Sequence, residues 1–281
     1  MTRLTVNGIG LNVDLAGEGP PLLFLHGFTG SMASWAGVRP AFAGFKTIMV
    51  DLIGHGASDA PLDPSRFEMG PCVQDLTAVL DRLGIARATV VGYSMGGRVA
   101  LHLALGAPER VAALVLESAS PGIADAAERA ARVKSDEALA DDIERLGVEA
   151  FVDRWEAQPL FASQSRLPAA IREGVRAQRL KNSALGLANS LRGMGAGVQE
   201  PLHARLRDVQ APTLVIAGSL DARYCAIARE IEGSIPNSSL VVIPEAGHTT
   251  HLEQPAAFTE AVRGFLDACL RTSAPKGGTQ R

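Results

Sequence analysis

The chain has 281 residues, 47% hydrophobic and 20% charged. That suffices for one large core, alone or with an insertion, and excludes a disordered polymer. A formal net charge of -3 gives no reason to expect nucleic acid or an anionic membrane as partner, and no apolar run reaches membrane-spanning length.

The three cysteines, Cys72, Cys225 and Cys269, are scattered. They show neither metal-ligand spacing nor a disulfide framework, so reduced thiols are expected. The N-terminus lacks a basic stretch followed by an apolar one, so no signal peptide is expected. These absences point to a cytoplasmic protein.

In chain order, the first strand is expected over Leu4–Leu15. Two short apolar strands follow at Pro21–Leu25 and Lys46–Val50, bounded by turn residues like buried strands of a mostly parallel sheet. Apolar positions recur at helical spacing over Cys72–Leu83. A strand at Ala88–Val91, a helix over Gly97–Ala104 and a strand at Val111–Leu116 continue the alternation. This βαβα pattern argues for an α/β fold, a mostly parallel sheet with helices on both faces. From about Ser120 to Arg207 the chain is rich in Ala, Arg, Glu and Leu and shows no strand pattern; it reads as a helical cap. Strand patterns return at Pro212–Gly218 and Ser239–Ile243, and an amphipathic helix is expected over Pro255–Leu270. The organisation is therefore a core of 1–119 and 208–271, a cap insertion of 120–207, and a tail of 272–281 expected to be disordered. No internal repeat is found.

Gly92-Tyr93-Ser94-Met95-Gly96 joins the Ala88–Val91 strand to the next helix. In that context G-x-S-x-G reads as a nucleophile elbow, where a bare pentapeptide would leave room for a plain Gly-rich turn. The helix that begins there aims free N–H groups at negative charge formed nearby. A serine needs a base, and the base an orienting acid. Asp221 follows an apolar strand directly, and His248 lies on the loop after the last strand, giving the chain order Ser94, Asp221, His248. His251 is the competing base and Glu117 the alternative acid. The two N–H groups of an oxyanion hole are expected from Met95 and from Phe28, in the loop His26-Gly27-Phe28-Thr29-Gly30. His26 and His55 read as structural.

These motifs, with Asp51-x-x-Gly54-His55-Gly56-x-Ser58, resemble the α/β-hydrolase fold over about Leu4 to Leu270. That resemblance is specific for fold and triad but leaves the reaction open. Further segments narrow it: Gly96-Gly97-Arg98, the string from Trp155 to Ser163 (Trp-x-x-Gln-Pro-x-Phe-x-Ser), Arg179-x-x-Asn182 and Gly197-Val198-Gln199. Together they resemble the 2-succinyl-6-hydroxy-2,4-cyclohexadiene-1-carboxylate synthases of menaquinone biosynthesis.

The resemblance implies a carbon–oxygen lyase that eliminates pyruvate from a small polycarboxylate. Ser94 would be the base, activated by His248 and Asp221. Arg98, Arg132 and Arg179 would hold carboxylates, since a guanidinium grips one with two parallel hydrogen bonds. Tyr93 and Trp155 would line the pocket. Arg129 competes with Arg132, and Arg172 or Arg176 with Arg179; on residue chemistry alone each is equally a solvated helix-face residue. Two other readings remain open, an esterase or C–C bond hydrolase using Ser94 as acyl nucleophile, and a binding protein that has lost the chemistry. No metal or organic cofactor is expected, and the Gly-rich elbow is not a dinucleotide fingerprint, since no G-x-G-x-x-G opens the first βα unit. No feature specifies an oligomeric state.

Overall fold

The computed structural model describes residues 1–273. Eight strands form one sheet: β1 (Thr2–Val6), β2 (Ile9–Ala16), β3 (Pro21–Leu25), β4 (Lys46–Val50), β5 (Ala88–Tyr93), β6 (Val111–Glu117), β7 (Thr213–Gly218) and β8 (Ser238–Ile243). Their order is β1-β2-β4-β3-β5-β6-β7-β8. The β1–β2 and β2–β4 pairs are antiparallel, and every other neighbouring pair is parallel.

The expected opening strand is in fact a hairpin. Asn7 and Gly8 both take positive φ, 48° and 80°, the two-residue turn that Asn-Gly favours. The apolar pattern runs on through this turn, which hid it in the sequence. The other strands fall where their apolar runs lie, with β5 and β6 extending to Tyr93 and Glu117.

Both faces of the sheet are covered. On one face, α1 (Met69–Arg82), α2 (Met95–Gly106) and α6 (Ala222–Ser234) bring Leu76, Val79, Val99, Leu103 and Ile231 against Leu23, Val90, Leu114 and Val215. On the other, α8 (Pro255–Ser273) and the turns around Trp35 and Phe42 pack Phe258, Val262 and Leu266 against Phe24, Val91, Val115 and Ile216. Each fully buried side chain of this size contributes about 1.5–3 kcal/mol, so the carboxyl ends of the strands are a rigid base for loops. The α8 helix continues to Ser273; the tail expectation from residue 274 onward lies outside the described residues.

Between β6 and β7 every regular element is helical: α3 (Ala126–Glu156), α4 (Ala169–Arg179) and α5 (Ala184–Met194), with 3-10 turns over Pro159–Arg166 and His203–Asp208. The Asp125 carboxylate caps α3 by accepting from the Glu128 amide at 2.8 Å, and α3 bends at Gly147, whose φ is 85°. This segment has its own small core of Ile143, Phe151, Val152, Leu187 and Leu191, onto which Phe28 and Trp155 pack. A short helix, α7 (Thr250–Glu253), follows the β8 loop. No described helix is long and apolar enough to cross a membrane.

Candidate active site

The strand-to-helix turn at Ser94 is tight enough to require its glycines. A Cβ on Gly96 would lie 2.1 Å from the Leu25 carbonyl oxygen, and one on Gly92 would lie 2.4 Å from that of Gly96. Ser94 itself has φ 51° and ψ -108°, a conformation that costs a non-glycine residue about 1–3 kcal/mol. The turn is held from below by the Ser94 amide, which donates to the Glu117 carbonyl at 2.8 Å.

Ser94, His248 and Asp221 come together from three strand ends. The Ser94 hydroxyl lies 3.0 Å from His248 Nε2, and His248 Nδ1 lies 2.9 Å from Asp221 Oδ2. Nδ1–H therefore donates to the carboxylate, and Nε2 is left to accept the serine proton. The ring is 2% exposed, and Tyr224 packs edge-on against it at 4.4 Å between centroids. Asp221 also caps α6, accepting from the Tyr224 amide at 3.1 Å. Its carboxylate is thus fixed at both oxygens.

The alternative base and acid pair with each other. Glu117, fully buried, accepts from the Thr250 hydroxyl at 2.7 Å, the His251 amide at 2.9 Å and His251 Nδ1 at 2.7 Å. Glu253 accepts from the Gly247 and Thr249 amides on either side of His248. The loop that carries His248 is therefore tied down on both flanks.

The Met95 amide opens α2 and has no carbonyl one turn back within the helix. The Phe28 amide has no acceptor among the described residues. The Phe28 loop is anchored by His26, whose Nε2 accepts from the Leu52 amide at 3.0 Å while Nδ1 meets the Gly27 carbonyl at 2.8 Å. Burial lowers the His26 pKa, in keeping with a neutral ring that donates at one nitrogen and accepts at the other. Beside it, His55 is held down to about 3, by burial first and then by His26.

Above the serine lies a cavity of about 640 Å³, lined among others by Phe28, Ser94, Met95, Arg98, Arg132, Trp155 and His248. Arg98 donates through Nη1 to the Met194 carbonyl at 2.7 Å and to Gln199 Oε1 at 2.6 Å; burial lowers its pKa to about 10, so it remains a cation at neutral pH. Arg132 donates through Nε to Asp136 at 2.7 Å. The Trp155 indole N–H is buried without a partner, a donor available to a ligand.

Tyr93 and Phe28 border both this cavity and a second one of about 60 Å³, and it is the second that Arg179 lines. Arg179 pairs with Glu156 at 3.0 Å and lies over the Phe161 ring. The Tyr93 hydroxyl bonds Thr249 at 2.7 Å, and burial raises its pKa. Of the competing arginines, Arg129 donates to the Ile123 and Ala124 carbonyls and Arg176 pairs with Asp153 and Glu156. Arg172 is exposed. None of the three lines either cavity.

Among the cavity residues that escaped the sequence reading are Tyr224, Arg223 and Asp136. Tyr224 sits one turn after Asp221, and Asp136 lies four residues after Arg132. The latter spacing was a usable signal, since oppositely charged side chains at i and i+4 on a helix meet.

An α/β hydrolase fold family model matches residues 20–255. The chain belongs to the α/β-hydrolase fold family. Within it, a Bacillus subtilis (strain 168) protein provisionally named as a 2-succinyl-6-hydroxy-2,4-cyclohexadiene-1-carboxylate synthase is 44% identical, over 92% of this chain and 95% of its own. The synthase of that name from Serratia proteamaculans (strain 568) is 32% identical, over 88% of this chain and 93% of its own. The solved structure of MenH from S. aureus superposes with a TM-score of 0.88 at 35% identity, covering 92% of this chain and 98% of that one. At these identities and coverages the chain belongs to the synthase family, whose members are enzymes on this fold.

Proposed function

We propose that this enzyme eliminates pyruvate from 2-succinyl-5-enolpyruvyl-6-hydroxy-3-cyclohexene-1-carboxylate. The product is 2-succinyl-6-hydroxy-2,4-cyclohexadiene-1-carboxylate, as in the named relatives. The observation that carries the reading is a single cavity in which a serine hydrogen-bonded to a histidine shares the lining with three arginines, Arg98, Arg132 and Arg223. A polyanionic substrate needs cationic clamps, and an elimination needs a base.

In this mechanism Ser94 Oγ removes the ring proton beside the succinyl carbonyl while its own proton passes to His248 Nε2. Asp221 stabilises the imidazolium that forms. The C–H electron pair and the ring double bond shift to give the diene, the C–O bond breaks, and the departing enolpyruvate gains a proton to become pyruvate. Negative charge developing on the succinyl carbonyl oxygen falls to the Phe28 and Met95 amides, the role of an oxyanion hole. Arg98 and Arg132 hold carboxylates, and Trp155 donates to the substrate. Arg179 acts from the far side of Phe28 and Phe161. No acyl-enzyme forms.

The test is an assay of the purified protein with this enolpyruvyl substrate, following pyruvate release and diene absorbance together. Both are expected, and both should vanish in Ser94→Ala. Hydrolysis of small aryl esters without pyruvate release would replace this reading with an esterase.

A further inference from the structure

Asp136 is only 5% exposed and lines the large cavity beside Arg132. Its Oδ1 accepts from Arg132 Nε, while Oδ2 is buried with no partner. The fold makes room for that free oxygen: a Cβ on Gly195 would lie 2.7 Å from it. A buried acceptor without a donor is costly, and the residue that carries it lines the cavity together with Arg132.

We propose that Asp136 is a positioning residue that sets Arg132 for a substrate carboxylate and takes up a proton as that carboxylate docks. The inference rests on the lyase reading above, and it follows from charge. An Arg132–Asp136 ion pair is neutral overall and offers little net attraction to a polyanion, while a docked carboxylate would face the Asp136 carboxylate as a like charge. A proton on Oδ2 removes both difficulties. It restores a net positive charge at Arg132, and it turns the orphan acceptor into an O–H donor beside the cavity. The bond between Oδ1 and Arg132 Nε persists, leaving the Nη edge of the guanidinium for the substrate. No covalent bond changes; the proton comes from water and returns there when the ligand leaves.

The charged or titratable groups acting on Asp136 are Arg132 on its own helix and Arg98 on α2; α6 brings to the same cavity the Tyr224 phenol, close to both arginines, and Arg223. Arg192 on α5 turns away to Glu137, Asp141 and Glu144. Burial already raises the Asp136 pKa against the pull of the two arginines, so the carboxyl is poised toward its neutral form.

The experiment measures KM for pyruvate release from about pH 6 to about pH 9. Wild type should show KM rising with pH by up to about tenfold per unit, the slope for uptake of one proton. Asp136→Asn keeps an acceptor for Arg132 and a donor for the ligand; its KM should lose that slope and match wild type at the acidic end. Asp136→Ala frees Arg132 and should give a KM without that slope, about tenfold or more above wild type at the acidic end, a larger effect than on kcat. An unchanged slope in Asp136→Asn, or a KM as poor as that of Asp136→Ala, overturns the proposal.

A second readout does not need turnover. In calorimetric titration with propane-1,2,3-tricarboxylate in phosphate and in Tris, wild type should take up about one proton per ligand bound, and Asp136→Asn none. Equal uptake by both, or uptake by neither, overturns the role of Asp136. Uptake by wild type alone, with no pyruvate released from the enolpyruvyl substrate, would sink the lyase reading and leave Asp136 in place.

Discussion

The strand ends and the helical segment above them build their halves of the cavity in different ways. Below, Ser94, His248 and Asp221 are placed by backbone: a strained turn, a helix cap, and a loop pinned by Glu117 and Glu253. Above, the cations are placed by side chains. Arg132, Arg176 and Arg179 each rest on an acid of α3. A backbone-placed group keeps its geometry when the substrate changes, whereas a side-chain pair can be re-partnered by a few substitutions. On the proposed reading, the base belongs to the strand ends and the carboxylate clamps other than Arg98 belong mainly to the cap.

The sharpest way to break that comparison is Ser94→Ala. Pyruvate release should fall by about 10³-fold or more with the melting temperature little changed; a loss under about tenfold would move the base out of the strand-end region. Next comes Glu117→Ala, which strips Thr250 and His251 of their buried acceptor. It should destabilise the fold by about 3 kcal/mol, read by denaturant unfolding. A change within about 0.5 kcal/mol would mean that the His248 loop does not depend on it.

A pH titration of stability probes the same lower region. His55 is neutral in the fold down to about pH 3, while an unfolded imidazole protonates near its ordinary value of 6.5. The unfolded chain therefore binds more protons between these values. The His55 contribution is complete above about 6.5 and is lost as pH falls toward 3. Urea midpoints should fall across that window, and His55→Gln should flatten the decline. The smallest effect is expected in the cap. Arg192→Ala removes a surface cluster with Glu137, Asp141 and Glu144 and should cost about 1 kcal/mol or less, without altering KM.

The same contrast explains what could be read from the sequence. Strands β3 to β8 announced themselves because buried parallel strands are short apolar runs, and Ser94, Asp221 and His248 because each follows such a run. The β1–β2 hairpin was missed although Asn7-Gly8 marks it, since apolar residues continue on both sides. In the cap, helical spacing told that Arg129, Arg132, Arg172, Arg176 and Arg179 lie on helices. It did not tell which of them face a cavity, because that depends on how α3, α4 and α5 pack and where α3 bends at Gly147. Asp136 went unremarked because an acid four residues after an arginine on a helix is usually a surface pair.

Arg98 is rooted one turn into the helix that begins at Ser94, yet its guanidinium ends on the Met194 carbonyl and Gln199. Lifting the C-terminal part of the cap would strip two acceptors from a largely desolvated cation, so this seam resists opening. The roof is hung from the floor at that point.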